Sequence, residues 1–252
     1  METFDATTVL GWSVYLLGWL FLAYGFLGVV VETVYCLVRE GVVESRFGLL
    51  YVPLRPMYGI GGVACTVLLD RFQPQPVTVF LGGMLICSVV EYAAGSICDK
   101  VFGTLSWDYG DKALHLHGKI CLQYSCYWGL LAGLAVYVIT PLISSWVSRL
   151  DRAPGETVLT LLLVLASAAA VLTTAAWART RRRLDVLRES EGQVLAVRET
   201  VGGRIIDLLA PDLLVINTFP RTRLARELTA VTGEQHSRLE WPRRRPASHA
   251  PR

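Results

Sequence analysis

Five apolar stretches, separated by short polar segments, account for most of the first 177 residues. They cover residues 9–38, 57–69, 77–97, 120–146 and 158–177. At about 1.5 Å of rise per residue, all but the second are long enough for a helix to cross a ~30 Å hydrocarbon core. The pattern predicts an all-α polytopic membrane helix bundle with about five transmembrane helices and a cytoplasmic C-terminal tail.

The second apolar stretch, residues 57–69, is short and rich in glycine. Pro53 and Pro56 precede it, and each proline fixes its own φ and keeps the residue before it out of the helical region. We therefore expect a rigid, non-helical entry to this stretch. Two structures fit its length, a strained span or a re-entrant hairpin that is covered by protein.

The polar positions divide the chain into three parts. Residues 1–177 form the predicted transmembrane domain, residues 178–231 an amphipathic cytoplasmic tail, and residues 232–252 a Pro- and Arg-rich end that is predicted to be disordered. In the tail we expect a helix after Arg179 whose basic residues meet anionic lipid headgroups, or whose apolar positions pair with a partner helix. The apolar pieces at 205–209 and 213–216 predict a small strand or helix element.

Composition and charge support a membrane protein and suggest its orientation. Hydrophobic residues make up 53% of the chain and charged residues 18%, and the mean hydropathy is +0.44, which is atypical of a soluble globular domain. Nine of the 24 Lys and Arg residues precede Ala178, and most of these nine fall in alternate loops. The positive-inside rule then predicts a multi-pass membrane protein with its N-terminus outside and its C-terminus in the cytoplasm. The membrane is the inner membrane if the protein is bacterial, as the Arg-rich composition suggests.

Two acids inside predicted spans are the main candidates for chemistry. Glu32 and Glu91 each end a Val-Val-Glu triplet, and each lies about six residues before the end of its span. A carboxylate within a bilayer is costly and usually has a partner or lies on a solute pathway. We expect both to face one shared interior cavity, with Arg55 or Lys119 as the neutralising cation. A purely structural ion pair is the alternative.

Polar and aromatic residues in the loops add to this candidate site. Tyr58 follows the Pro53–Pro56 motif, and Asp108 and Tyr109 lie in an acidic, aromatic cluster that also suits a membrane interface. The predicted substrate- or ion-binding residues are thus Glu32, Glu91, Asp108, Tyr58, Tyr109, Arg55 and Lys119.

The cysteine pattern gives little support for a metal site. The six cysteines show none of the paired spacings of zinc sites or disulfide frameworks, and most lie in apolar runs, where a cysteine is usually a small buried hydrophobe. A site built from Cys121, His115 and His117 is the weaker alternative. Neither a cofactor nor a metal can be named from the sequence.

Several short motifs together resemble a family of bacterial membrane proteins classed as ABC transporter permeases of type IV. The resemblance covers about residues 25–141, and the tail lies outside it. It departs from the family at Val52, His115 and Lys119. The motifs are Glu32 with Tyr35, Pro53, Pro56-Met57-Tyr58-Gly59, Glu91-Tyr92, Trp107-Asp108-Tyr109, Gly118-Lys119-Ile120-Cys121-Leu122, Trp128-Gly129 and Pro141.

The resemblance implies a permease-like transport component that works with a separate ATPase. The chain has no GxxxxGK[ST] motif, so it does not hydrolyse ATP by that route. The sequence also permits a membrane-embedded enzyme or lipid-modifying factor that uses Glu, Asp and His chemistry, or a structural or regulatory role. The expected partners are the lipid bilayer and an ATPase subunit or a second copy of the chain, with no nucleic acid.

Overall fold

A computed structural model describes residues 8–104, 107–189, 201–219, 221–222, 226–227, 230 and 239–240. This part of the chain is mostly helical. Four helical stretches within it have the length and apolar composition to cross a membrane, namely Val14–Glu40, Pro76–Val101, Leu122–Val147 and Arg152–Asp185. The predicted all-α membrane bundle is therefore confirmed.

The ends of the first three helices follow from local sequence. Helix α1, Val14–Glu40, ends at Gly41, whose φ of 69° is a left-handed conformation that glycine adopts without strain. Helices α2, Pro56–Leu69, and α3, Pro76–Ile97, both begin at a proline. Proline suits the first helical position because its missing N–H would have no partner there.

The fourth pass contains a local widening of the helix. Helix α4, Leu122–Leu134, continues through a π-helical turn, Ala135–Ile139, into α5, Thr140–Val147. Pro141 is the second residue after this turn. It has no N–H to donate, which accounts for the break in the regular hydrogen-bond ladder. The Thr140 N–H donates to the Ala135 carbonyl, five residues back, and so closes the widened turn.

The passes alternate in direction, which places the start of α1 and the end of α6 at opposite ends of the bundle. Helix α6, Arg152–Glu189, begins beside the start of α1, where Leu159 and Tyr15 share one core cluster. It ends beside the end of α3, where Arg181 donates to the Val101 carbonyl at 2.9 Å. Helices α1, α3 and α6 thus run one way, and α2 and the α4–α5 pass run the other way.

The second pass, residues 42–69, is non-helical up to Arg55. After α1 the chain turns back along it without forming a helix, so that the Arg55 N–H donates to the Gly25 carbonyl at 2.9 Å, far from the end of α1. Leu50 N–H donates to Thr173 Oγ1 on α6 at 2.9 Å. Only then does the 14-residue α2 begin. The second apolar stretch thus follows a non-helical segment inside the bundle and forms the 14-residue helix α2.

The bundle exposes apolar side chains and buries polar ones, as a membrane protein does. Large exposed residues recur every four positions on α1 and α3, a spacing that gives each helix an apolar outer stripe. Several polar side chains at interior positions are hydrogen-bonded to each other, such as Tyr24 to Thr140 and Ser88 to Ser125. The stripes are Val30, Val34 and Val38 on α1, and Leu81, Leu85 and Val89 on α3.

The described part of the tail after residue 200 packs against α6 through ion pairs and an apolar contact. Helices α7, Val201–Leu209, and α8, Asp212–Thr218, follow a segment outside the described residues. Arg179 is 8% exposed and pairs with Asp207 and Asp212, and Arg183 pairs with the same two aspartates. Of the three arginines expected to meet lipid headgroups, Arg181, Arg182 and Arg183, Arg183 forms these ion pairs within the protein.

Six two-residue strands form three small antiparallel pairs. Thr8–Val9 pairs with Trp12–Ser13, Val42–Val43 with Leu239–Glu240, and His115–Leu116 with Ile120–Cys121. Apart from Leu239–Glu240, the predicted disordered end at 232–252 lies outside the described residues, as does the part of the predicted tail helix at 190–200.

Candidate intramembrane carboxylate site

Glu32 forms an ion pair where the second pass enters the bundle. Arg55 Nη2 lies 2.9 Å from Glu32 Oε1, and the Tyr58 hydroxyl donates to the same oxygen at 3.2 Å. Arg55 is extended, with φ of −113°, because Pro56 follows it, and this conformation directs the chain from α1 into α2. The two charged side chains are 14% and 23% exposed. Their charges cancel within a largely buried pair.

Glu91 lies deeper and is held by neutral donors. Its residue is 2% exposed. The Trp128 indole N–H donates to Oε2 at 2.9 Å, and the Tyr109 hydroxyl donates to Oε1 at 3.1 Å. Within the part of the chain that the structure describes, no Lys, Arg or His forms a salt bridge with Glu91. Each carboxylate oxygen therefore has a hydrogen bond, but the group has no counter-charge there.

Two aromatic rings connect the carboxylates. The Tyr58 ring, which carries the hydroxyl bound to Glu32, packs on the Trp128 ring with centroids 4.9 Å apart and planes tilted by 59°. Trp128 in turn donates to Glu91. The structure thus brings Glu32, Arg55, Tyr58, Glu91 and Tyr109 of the predicted site into one connected group.

A second layer of tyrosines backs this group. The Tyr109 ring stacks on Tyr124 with centroids 4.5 Å apart, and the Tyr124 hydroxyl lies 2.8 Å from that of Tyr35. Burial, and then the nearby Glu91 carboxylate, raise the pKa of Tyr109. Tyr109 therefore keeps its proton at physiological pH and remains a hydrogen-bond donor to Glu91.

A cavity of about 120 Å³ lies directly beside the ring pair. The rings of Tyr58 and Tyr24 line it, together with small and apolar side chains. At the Tyr24 end the hydroxyls of Tyr24 and Thr140 lie 2.6 Å apart, and those of Thr66 and Thr140 lie 3.0 Å apart. Cys87 lines the cavity one helical turn before Glu91, and Glu91 itself does not line it.

Two predicted members form other contacts. Lys119 Nζ pairs with Asp99 at 3.1 Å and not with Glu32 or Glu91. Asp108 Oδ1 accepts a hydrogen bond from the Gly110 N–H at 2.9 Å, which closes a tight turn next to Gly118. Lys119 lies in the turn of the short hairpin His115–Cys121, and this position carries its ammonium to Asp99, just after α3. Of the two cations expected to neutralise the acids, Arg55 is therefore the one that the structure pairs with Glu32.

The weaker metal alternative finds no support in the geometry. His115 Nδ1 accepts from the Gly118 N–H at 3.2 Å, and His117 lies 3.0 Å from the Tyr92 hydroxyl. Among the described residues, which include both histidines and Cys121, no group of three or more His, Cys, Asp or Glu side chains is placed to hold a metal ion.

Sequence reasoning missed Trp128 and Tyr124 as members of the site. Trp128 lies well inside its span, away from the interfacial belt where tryptophan is usually found. That position was the available signal, since a buried indole N–H needs an acceptor and a carboxylate in the neighbouring span provides one. Tyr124 gave no comparable signal because it lies near the start of α4.

Comparison with known families finds a match over most of the helical bundle. Residues 19–174 match the model of the family described as Putative ABC-transporter type IV. The protein belongs to this family. The match begins in α1 and ends within α6, so it contains the whole carboxylate site and extends beyond the predicted 25–141 at both ends. It leaves out α7 and α8.

The family makes this chain a transport-related membrane protein. No curated protein and no solved structure matches it. The site is therefore interpreted from its own geometry.

Proposed function

We propose that this type IV ABC-transporter family member is the permease-like subunit of a transporter for a cation or cationic solute, and that Glu91 binds the cation. The observation that carries the proposal is the burial of the Glu91 carboxylate with no salt bridge to it among the described residues. An ionised carboxylate in a low-dielectric interior costs several kcal/mol unless a positive charge compensates it. A bound cation provides that charge.

The neighbouring carboxylate explains why Glu91, and not Glu32, is the binding group. Glu32 is neutralised by Arg55 at 2.9 Å and accepts from Tyr58 as well. A cation that approached Glu32 would compete with a guanidinium already in place. Glu91 has only the neutral donors Trp128 and Tyr109, which hold its oxygens in position without cancelling their charge.

Interrupted helices around the site suit a transport role. The second pass is non-helical until Arg55, and the fourth contains the π turn at Ala135–Ile139. In transporters, solute sites near the bilayer midplane are commonly built where spanning helices are broken. Here both interruptions lie next to the cavity, since Tyr58 and Ala135 both line it.

Cation binding to the purified full-length chain in lipid nanodiscs tests the proposal. Wild-type protein should bind at least one member of a panel containing Na⁺, K⁺, Mg²⁺ and tetramethylammonium, and Glu91→Gln should weaken that binding at least tenfold. Glu156→Gln is the matched control, because Glu156 pairs with Arg152 at the start of α6, at the end of the bundle away from Glu91. Equal binding by wild type and Glu91→Gln would exclude Glu91 as the cation ligand.

The separate ATPase belongs to the same proposal and rests on the family. The chain lacks a phosphate-binding loop, so ATP-driven transport needs a second subunit. We infer that this subunit binds at the end of the bundle where α6 ends, which the positive-inside rule predicts to be cytoplasmic. Purification of the tagged protein from native membranes, with ATP hydrolysis assayed in the eluate, should recover the ATPase. Eluates with no ATP hydrolysis above an untagged control would contradict this part.

A further inference from the structure

We infer that the bound solute is a small organic ammonium ion and not a metal ion, and that its carbon-bearing part occupies the cavity between Tyr24 and Tyr58. This inference rests on the proposed cation site at Glu91 and specifies the class of cation. It follows from the ligand set, the aromatic surfaces and the shape of the cavity.

The ligand set is too small for a metal ion. Mg²⁺ and Ca²⁺ take six to eight oxygen ligands at roughly 2.0–2.6 Å. The site offers one carboxylate without a counter-charge, Glu91, since Arg55 holds Glu32. The groups that contact Glu91 are an indole N–H and a phenol hydroxyl, and the indole cannot act as a ligand. A metal ion would have to keep most of its water in a space that is lined by apolar side chains.

Aromatic surfaces replace the missing oxygens. Ring faces attract a cation through their quadrupole, most strongly for tryptophan, and the attraction is larger where water is excluded. The Tyr58 ring already has a cation near it, because the Arg55 guanidinium lies 5.9 Å from its centroid. Its neighbour Trp128 joins this surface to Glu91. An ammonium ion with carbon substituents, being weakly hydrated, suits such a surface better than a metal ion does.

The cavity has room for the carbon substituents. Its volume is about 120 Å³, whereas a single water needs only about 10–15 Å³ on the same measure. Two glycines create the space between the rings. A Cβ at Gly28 would lie 2.4 Å from the Tyr58 ring, and one at Gly62 would lie 2.4 Å from the Tyr24 ring. Without side chains there, both rings lie flat against the helices and leave the cavity open.

The cavity lies about one helical turn from the residues that hold the Glu91 carboxylate. Cys87 lines the cavity and precedes Glu91 by four residues on α3, and Leu131 lines it three residues after Trp128 on α4. A helical turn is about 5.4 Å, the scale of one ammonium group with its substituents. We expect a solute with its carbon atoms in the cavity to extend its charged group over this turn to the Trp128 ring and Glu91, neither of which lines the cavity itself.

Binding of radiolabelled tetramethylammonium to the full-length protein in nanodiscs, with Na⁺ as competitor, tests the inference. Wild type should bind tetramethylammonium, and excess Na⁺ should not displace it. Trp128→Leu should weaken binding by about 3- to 30-fold, and Trp128→Phe, which keeps a ring face, should weaken it less. Trp146→Leu is the control, since Trp146 contacts Trp19 at the other end of the bundle. Thermal unfolding checks that each variant is folded.

The outcomes separate this inference from the proposed function. If Na⁺ or another metal ion binds in a Glu91-dependent way and tetramethylammonium does not, the inference is wrong and the cation site stands. If no cation binds, both are wrong. Tetramethylammonium binding that is unchanged in Trp128→Leu would also overturn the inference, because the aromatic surface would then have no part in recognition.

Discussion

At the scale of single residues, the Glu32–Arg55 pair connects three parts of the bundle. Arg55 contacts Glu32 on α1 and also donates through Nη1 to the Arg46 carbonyl at 3.0 Å, while Pro56 begins α2 directly after it. One guanidinium therefore fixes the loop, the start of α2 and the depth of the Glu32 carboxylate. Its removal would leave that carboxylate buried without a cation.

Arg55→Ala should destabilise the folded protein by roughly 3–5 kcal/mol, because it breaks a buried ion pair and leaves one charge uncompensated. Equilibrium unfolding in mixed micelles measures this free energy. The double variant Glu32→Gln/Arg55→Gln removes both charges and should lose less than Arg55→Ala alone. A loss below about 1 kcal/mol in Arg55→Ala would mean that the pair behaves as an exposed one.

Gly28→Ala should displace the Tyr58 ring, because the new Cβ would lie 2.4 Å from Tyr58 Cγ and 2.7 Å from its Cβ. Overpacking of this kind costs about 1–3 kcal/mol. Gly133→Ala is the matched control, since a Cβ there meets nothing within 4 Å. The control should be neutral or gain up to about 1 kcal/mol from helix propensity. Equal unfolding free energies for the two variants would contradict the packing at Gly28.

Residue chemistry alone predicted the costly acids but not all their partners. A carboxylate in an apolar run is visible in the sequence. The position of Arg55 at the start of the next helix could also be inferred, because Pro56 comes directly after it. Lys119 has the same charge and a similar place before a span, yet it pairs with Asp99. Its direction depends on the hairpin at His115–Cys121, whose left-handed residues, such as His117 with φ of 53°, cannot be read from the residue types.

At the scale of elements, the tail helices α7 and α8 are attached to α6 and to the second pass through a cluster of charges and an apolar contact. Arg179 and Arg183 on α6 bind Asp207 and Asp212 of the tail. Leu50, from the non-helical part of the second pass, is fully buried in a cluster with Ala210, Val215 and Phe219 of the tail. The tail thus packs on the segment that leads to Arg55.

Asp212→Asn should loosen α7 and α8, because Asp212 contacts Arg179 at 2.7 Å and Arg183 at 2.9 Å. Hydrogen exchange should become at least about tenfold faster in residues 205–218, which corresponds to about 1.4 kcal/mol, and should not change in α3. Asp111→Asn, in an exposed pair with Lys112, is the control. Unchanged protection at 205–218 would show that apolar packing alone holds the tail.

The elements were predicted to different degrees. Helices α1, α3 and α6 follow from apolar length alone, since a hydrophobic run of that length in a bilayer must be helical. The second pass did not follow, because its non-helical half is stabilised by distant groups, the Gly25 carbonyl and Thr173 Oγ1, that no local pattern reveals. The helical form of α7 and α8 was also open, because their apolar pieces are too short to show a period.

At the scale of the whole molecule, the passes alternate in direction along the bundle. Among the residues that the structure describes, four helices are long enough to cross a membrane, and the second pass runs along the bundle as a non-helical segment followed by α2. The start of α1 and the end of α6 therefore lie at opposite ends of the bundle. The matching triplets at Glu32 and Glu91 fit this arrangement, because each acid lies on a pass of the same direction and bonds to an aromatic donor on the next one.

Reporter fusions after Leu150 and after Arg183 should lie on opposite sides of the membrane, with the fusion after Arg183 in the cytoplasm. The first position follows α5 and the second lies near the end of the long apolar part of α6. An alkaline phosphatase and a fluorescent protein report the two sides independently. Reports from the same side at both positions would mean that α6 does not cross.

The central claim is that a buried carboxylate without a counter-charge binds the transported cation, and uptake into proteoliposomes measures it most directly. Full-length protein, reconstituted with the ATPase that co-purifies with it, should take up radiolabelled tetramethylammonium when ATP is supplied. Glu91→Gln should abolish this uptake at unchanged protein abundance, whereas Glu156→Gln should retain it. Uptake by Glu91→Gln at the wild-type rate would contradict the claim.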